Sequence, residues 1–387
     1  MKKGITKILS ACVFAFVVFL AAGTQSKAAV NMGVKQTGAG SSYVDLAWDA
    51  QLGAGHYHTQ FSQDGKNWID MDNSSSPSES VYNLTQGASY YARVVAYNGV
   101  SETAIVSTKP TEVSGLTQTA AGVNSVSMSW NASAGAASYV IYGYINYNWT
   151  QIGTSATNSA TITGVAATTS TRFSVAAVKN VTGGTVTGDQ CSGVEMKAIP
   201  IKVSRIAMQY YWDSLKEAKY IWTDVNNADG YQYEVKSANG KKTYFRATST
   251  NSYTYVKPFP RGIFVKARVR AYVTVGNKVY YGAWSPYTYH ASSKKVTAKR
   301  SSNGKKIYLK WKKVSGASGY QVYVSTKSNG GFKKVKSLSS KKSSYTITKC
   351  GKKKLKKGKT YYVQLRYQTK VGKKKVSSKI VSSVTVY

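Results

Sequence analysis

His56 and His58, in the run GHYHT, are a pair whose types and spacing could do chemistry. On a strand, a separation of two places both imidazoles on one face, where they could share a metal ion. Such a site needs further ligands, and no third is evident nearby; His290 is the one remaining histidine. His56 and His58 are therefore metal candidates at most, and no cofactor is expected. Asp70 and Asp72 in WIDMDN read as a polar turn beside a hairpin, not as an acid/base pair. The chain lacks a Gly-x-Ser-x-Gly elbow, a phosphate loop and a His-Glu-x-x-His helix. No catalytic residue is assigned, and the chain is not expected to be an enzyme.

Charge is the second chemical feature. The 387 residues carry 53 Lys and Arg against 15 Asp and Glu, a formal net charge of +38. The excess is segregated. Residues 30–109 are slightly acidic, 110–198 neutral, 199–290 moderately basic, and 291–387 carry 28 basic residues and no acidic one. Of these 28, only Arg300 and Arg366 are arginine. Lysine is a mobile point charge suited to diffuse phosphate or carboxylate, whereas planar bidentate reading of bases favours arginine. The expected partner is an anionic cell-wall polymer or acidic polysaccharide, with no sequence-specific nucleic acid. The densest groups are Lys352, Lys353, Lys354, Lys356, Lys357 and Lys359, then Lys373, Lys374 and Lys375. These nine are the expected polyanion-binding residues; a device for solubility alone is the competing explanation.

Aromatic residues are the third. Trp68, the run YGYINYNWT and the run QYYWD hold more rings than a core requires. Tyr142, Tyr144 and Trp149 cannot all face inward on alternating strands. With Trp68 they are possible contacts for a glycan or a protein partner of the first two domains.

The elements that must position these groups repeat. Four stretches pair a Trp with a Tyr nine residues on: Trp48 and Tyr57, Trp130 and Tyr139, Trp222 and Tyr231, Trp311 and Tyr320. Each Trp closes an alternating apolar run, and after each Tyr another begins, so period two sends both rings toward a core. In the fourth repeat the inward sets are Ile307, Leu309, Trp311, then Tyr320, Val322, Val324, then Tyr361, Val363, Leu365, Tyr367. QDGKNW, ANGKKTY and SNGGFKK supply the positive φ of tight hairpins through Asp-Gly and Asn-Gly pairs. YYGAWSPY, Tyr280 to Tyr287, reads as the last strand of the third repeat.

The Trp, the Tyr and the run Leu-x-x-Gly-x-x-Tyr together resemble the fibronectin type III domain. Leu84 with Tyr90, and Leu355 with Tyr361, match that family's tyrosine corner. The second and third repeats depart, with Thr171 and Val265 at the corner position. The resemblance implies an all-β tandem array of four immunoglobulin-like sandwiches, over 30–109, 110–198, 199–290 and 291–387. Ahead of them, residues 1–29 read as a bacterial signal peptide: Lys2, Lys3 and Lys7, an apolar run containing Cys12, then small residues at Ser26 and Ala28. Once Cys12 leaves, Cys191 and Cys350 remain, expected as isolated thiols. The expected product is a secreted or cell-wall-associated adhesion protein with no transmembrane span in its mature chain, anchored through its lysines. A carbohydrate-binding protein and a spacer rod are the alternatives.

Overall fold

A computed structural model describes residues 28–387. The expected signal segment, with Lys2, Lys3, Lys7 and Cys12, lies outside the described residues but for its last two. Every regular element described is a strand. No helix among the described residues is long and apolar enough to cross a membrane.

The strands group into sheets that recur four times along the chain as a three-stranded sheet followed by a larger one. Lys35–Ala39, Val44–Ala47 and Ser78–Val81 make the first small sheet; Val296–Arg300, Ile307–Trp311 and Ser344–Ile347 make the last. In the fourth sandwich the large sheet runs Lys333–Ser339, Gly319–Ser325, Tyr361–Val371, Lys374–Val386, all antiparallel. Two sheets facing each other across an apolar interior form a β-sandwich. The chain is thus all-β, a tandem array of fibronectin type III-like sandwiches. It divides into two compact units. One runs through Thr111 and takes in Ser133–Ala137 and Val178–Asp189; the other holds Glu112–Ala132, Ser138–Ala177 and Gln190–Tyr387.

The four Trp–Tyr pairs are the same contact built four times. Their ring centroids lie 5.4, 5.2, 5.5 and 5.3 Å apart, in chain order. Tyr57, Tyr231 and Tyr320 also close the turn between the two rings, each accepting a backbone N–H on the phenolic oxygen. Tyr57 accepts from Gln51, Tyr231 from Val225 and Tyr320 from Val314, at 2.8, 2.8 and 3.0 Å. A buried backbone donor needs a partner, and the Tyr supplies it while its ring packs on the Trp. The inward sets of the fourth repeat are all buried. Both tyrosine corners form: Tyr90 accepts from the Thr85 N–H at 2.9 Å, Tyr361 from the Lys356 N–H at 3.0 Å.

Three local expectations need correction. YYGAWSPY is not one strand: a strand ends at Tyr281, Gly282–Tyr287 is irregular, and Thr288–Ala291 pairs next. Pro286 has no N–H for a ladder, and the Ser285 hydroxyl takes the Val269 N–H at 3.0 Å. In SNGG it is Gly331, not Gly330, that carries the positive φ, 67°. Asp70 and Asp72 lie on the exposed strand Ile69–Ser74, where Asp70 accepts from the Gln60 amide at 2.7 Å, and not in a turn.

Candidate functional site

The lysines from 352 to 359 sit where the chain enters the strand Tyr361–Val371. A two-stranded hairpin, Lys349–Cys350 with Lys353–Lys354, leads into the tyrosine corner. Leu355 is buried while Lys352, Lys353, Lys354, Lys356, Lys357 and Lys359 are all exposed. One apolar side chain and one phenol thus hold a loop whose other side chains face water. Arg300 ties a second turn to it, donating to the Lys359 carbonyl at 2.7 Å, to the Lys356 carbonyl, and to Gly304 O at 3.2 Å. Gly304 lies so close that a Cβ there would meet Lys357 Cα at 2.7 Å. Lys305 and Lys306 on that turn are exposed beside the loop. Lys333 joins from another side, its Cδ 2.7 Å from where a Gly351 Cβ would lie. Sequence spacing hides these three; the Ser301–Lys306 turn and the strand edge at Lys333 reach the loop only through the fold.

Lys373, Lys374 and Lys375 are exposed too, but elsewhere. They turn at the far end of Tyr361–Val371, a strand of 11 residues. At about 3.3 Å per residue that separates the two groups by roughly 33 Å. The nine expected lysines therefore form two sites. The 373–375 turn is at the end of the fourth sandwich that meets the third. There the Thr369 hydroxyl donates to Gly316 O at 2.8 Å and the Phe264 N–H to Ser315 O at 2.8 Å. The 352–359 loop, with Lys305, Lys306 and Lys333, makes a cationic tip at the opposite end.

Among the described residues, no cation from Lys294 onward is in an ion pair. The third sandwich differs. Glu234, fully buried, takes Arg268 at 2.6 Å, Arg246 at 2.7 Å and Lys236 at 3.1 Å. Burial pushes its carboxyl up, but hydrogen bonds from Arg246, Lys236 and Arg268 outweigh that and hold it below the usual range. Arg268 also lies 4.2 Å over Trp284, and Arg270 lies 3.8 Å over Tyr281 and 4.4 Å over Trp284. Much of that sandwich's positive charge is consumed internally by carboxylate and π faces. This ladder was not legible in the sequence, because its members come from four strands and an irregular segment.

The aromatic candidates separate in the same way. Trp68 is half-buried and capped: the Arg93 guanidinium lies 3.9 Å over its ring, steadied by the Gln60 side chain at 2.7 Å. It is not an open platform. Tyr142, Tyr144 and Trp149 do come together, on the hairpin of Ser138–Ile145 with Asn148–Ser155. A further aromatic group lies on the third sandwich's small sheet, where Tyr210 stacks on Trp212 at 4.3 Å and Lys219 sits 4.6 Å over Tyr253.

His56 and His58 are exposed on either side of buried Tyr57, and no group of three or more His, Cys, Asp or Glu fit to hold a metal exists among the described residues. Cys191 is buried and Cys350 half-buried, both as free thiols. Burial raises the Cys350 thiol's pKa, which suits an inert packing role.

No family model matches the chain, and no curated protein does. Among solved structures it is similar to the FN1–FN3 domains of chicken CNTN1. That similarity has 15% sequence identity and a TM-score of 0.27, covering 72% of this chain and 99% of that one. What the chain's own sheets show is an all-β array of fibronectin type III-like sandwiches.

Proposed function

We propose that this chain is a non-catalytic, exported surface protein that attaches to an anionic envelope polymer through the tip of its fourth sandwich, leaving the first two sandwiches to meet a partner. The observation that carries this reading is the tip itself. Nine exposed lysines from three chain segments converge there, in a sandwich with no carboxylate side chain to neutralise them. Unpaired like charges raise the free energy of the compact state. Their convergence on one end, where a polyanion could relieve that repulsion, favours a binding role over dispersed solubilising charge. The lack of any acidic side chain in this sandwich also leaves the ammonium groups available for diffuse ionic contact, with counterion release as the driving force.

The test is a salt titration of binding to isolated, protein-stripped envelopes. Full-length chain is compared with a tip variant, in which Lys352, Lys353, Lys354, Lys356, Lys357 and Lys359 are all changed to Gln, and with a turn variant carrying the same change at Lys373, Lys374 and Lys375. The expected result is binding at low salt that falls steeply as salt rises, with the tip variant losing most of it. Equal binding by all three chains, or binding indifferent to salt, would sink the reading. Point substitution is preferred to deleting the fourth sandwich, since the third sandwich's core contains a residue of the fourth, Ile380.

A further inference from the structure

The hairpin of Ser138–Ile145 and Asn148–Ser155 contrasts with the rest of this cationic chain. From Ser138 to Ser155 it has no charged side chain and no histidine. Its outer end is exposed on both faces, from Tyr144 to Gln151. The register pairs Tyr142 with Gln151 and Tyr144 with Trp149 across the two strands. Aromatic rings therefore share one face with an amide, and Asn146, Asn148 and Thr150 add further hydrogen-bonding groups alongside.

Two features show that this end is built rather than left over. The indole of Trp149 is held in place: Tyr144 meets it edge-on at 5.3 Å, and Gly193 lies against its other end. A Cβ at 193 would come within 2.6 Å of Trp149 Cη2. Gly193 has an ordinary negative-φ or extended backbone, so it serves the indole by its size. Trp149 as a whole still keeps 36% of its surface open. The turn is the second feature. Asn146 and Tyr147 both have positive φ, 50° and 65°, the pattern of a type I′ turn, whose second position is best filled by glycine. A tyrosine there is strained. Tyr147 is nevertheless 89% exposed and gains no packing in return. A strained, solvent-facing aromatic at a turn points to a contact made outside the molecule.

We propose that this hairpin end is a binding site for a neutral polysaccharide. Pyranose rings offer C–H faces to Trp149, Tyr144 and Tyr147, and hydroxyls to Gln151 and the neighbouring amides. The hairpin itself carries no charge, and the exposed cation beside its Trp149 seat, Arg172, donates to the Gly193 carbonyl at 3.4 Å and stands opposite Glu195 across the ladder. The face thus has no net charge and favours an uncharged polymer, a polyanion being served by the lysines. The site does not depend on the cationic tip, and high salt separates the two.

The experiment is a depletion assay of full-length chain on particulate cellulose, chitin and mannan at about 1 M NaCl, where charge interactions are screened beyond about 3 Å. The chain is expected to be retained by at least one of the three. Trp149→Ala is expected to weaken that retention by about tenfold or more, the loss usual for a central Trp anchor. Tyr147→Gly is expected to weaken it several-fold while leaving the thermal midpoint equal or higher, because Asn-Gly suits the turn better. That second variant separates lost contact from lost folding. Failure of all three polymers to retain the chain, or wild-type retention by both variants, would overturn the proposal. So would a chain that ignores the polymers yet captures protein-bearing surfaces through Trp149, which would make the hairpin a protein-docking surface.

Discussion

Ile380 and Phe264 are buried in each other's sandwiches. Ile380, on the last strand of the fourth, packs in the third core with Trp222, Val235 and Val269; Phe264, on the long strand of the third, packs in the fourth core with Trp311 and Tyr367. A bulge makes this possible. Between Arg366 and Gln368 the opposing strand steps from Val381 to Ser377, so three residues face one. Bulges aim side chains away from their own ladder. The Ser378 hydroxyl takes the Ala291 N–H at 2.9 Å, and Ile380 follows it into the neighbouring core.

Ile380→Ala should therefore destabilise the third sandwich as well as the fourth. Removing a buried Ile side chain costs about 2–5 kcal/mol. Thermal unfolding followed by tryptophan fluorescence should show both sandwiches melting together in the wild type and together, at lower temperature, in the variant. Two separated transitions in the wild type would show that the exchange does not couple them.

Glu234 sets a pH limit. Its carboxyl is held below the ordinary value of 4.5 when folded. A depressed acid stabilises the fold above its unfolded pKa and loses that contribution as pH falls through the folded value. Stability of the third sandwich should thus be level at neutral pH and decline below about 4.5. Glu234→Gln should cost about 3 kcal/mol at neutral pH, because Arg246, Arg268 and Lys236 lose their counter-charge. It should also flatten the acid decline. Denaturant midpoints between neutral and acidic pH measure both, and an unchanged acid slope in the variant would assign the decline to other carboxylates.

Tyr361→Phe removes the acceptor of the Lys356 N–H. Leaving that donor unpaired should cost about 1–3 kcal/mol. The loop bearing Lys352 to Lys359 should exchange its amide protons faster than in the wild type, while the strand Gly319–Ser325 keeps its protection. Uniform loss of protection across the sandwich would mean that the corner supports the whole fold and not the loop in particular.

The cationic tip predicts a salt slope. Each phosphate neutralised contributes about 0.7–0.9 to the fall of log affinity with log salt. Changing the six loop lysines to Gln should reduce the slope on a polyphosphate by roughly 4–5. The same change at Lys373, Lys374 and Lys375, about 33 Å away along the strand, should reduce it by far less. Equal reductions per lysine would mean that charge acts without regard to place.

Much of this protein is fixed by short-range pattern. A strand's two-residue period and its turn residues are local properties, so Trp311, Tyr320 and Tyr361 declare their inward faces, and Asp64-Gly65 declares its turn, from sequence alone. The segregation of lysine into 291–387 is equally plain, as is the fact that Tyr142, Tyr144 and Trp149 cannot all face inward. What the tertiary structure decided is which distant residues meet. It split nine lysines into a tip and a turn because an 11-residue strand lies between them, and it brought Lys305, Lys306 and Lys333 to the tip. It covered Trp68 with Arg93, gathered three cations on Glu234, seated Trp149 on Gly193 and carried Ile380 into another core. Each of these depends on strand register and on the packing of one sheet against its neighbour, and neither is written in the spacing of the residues involved.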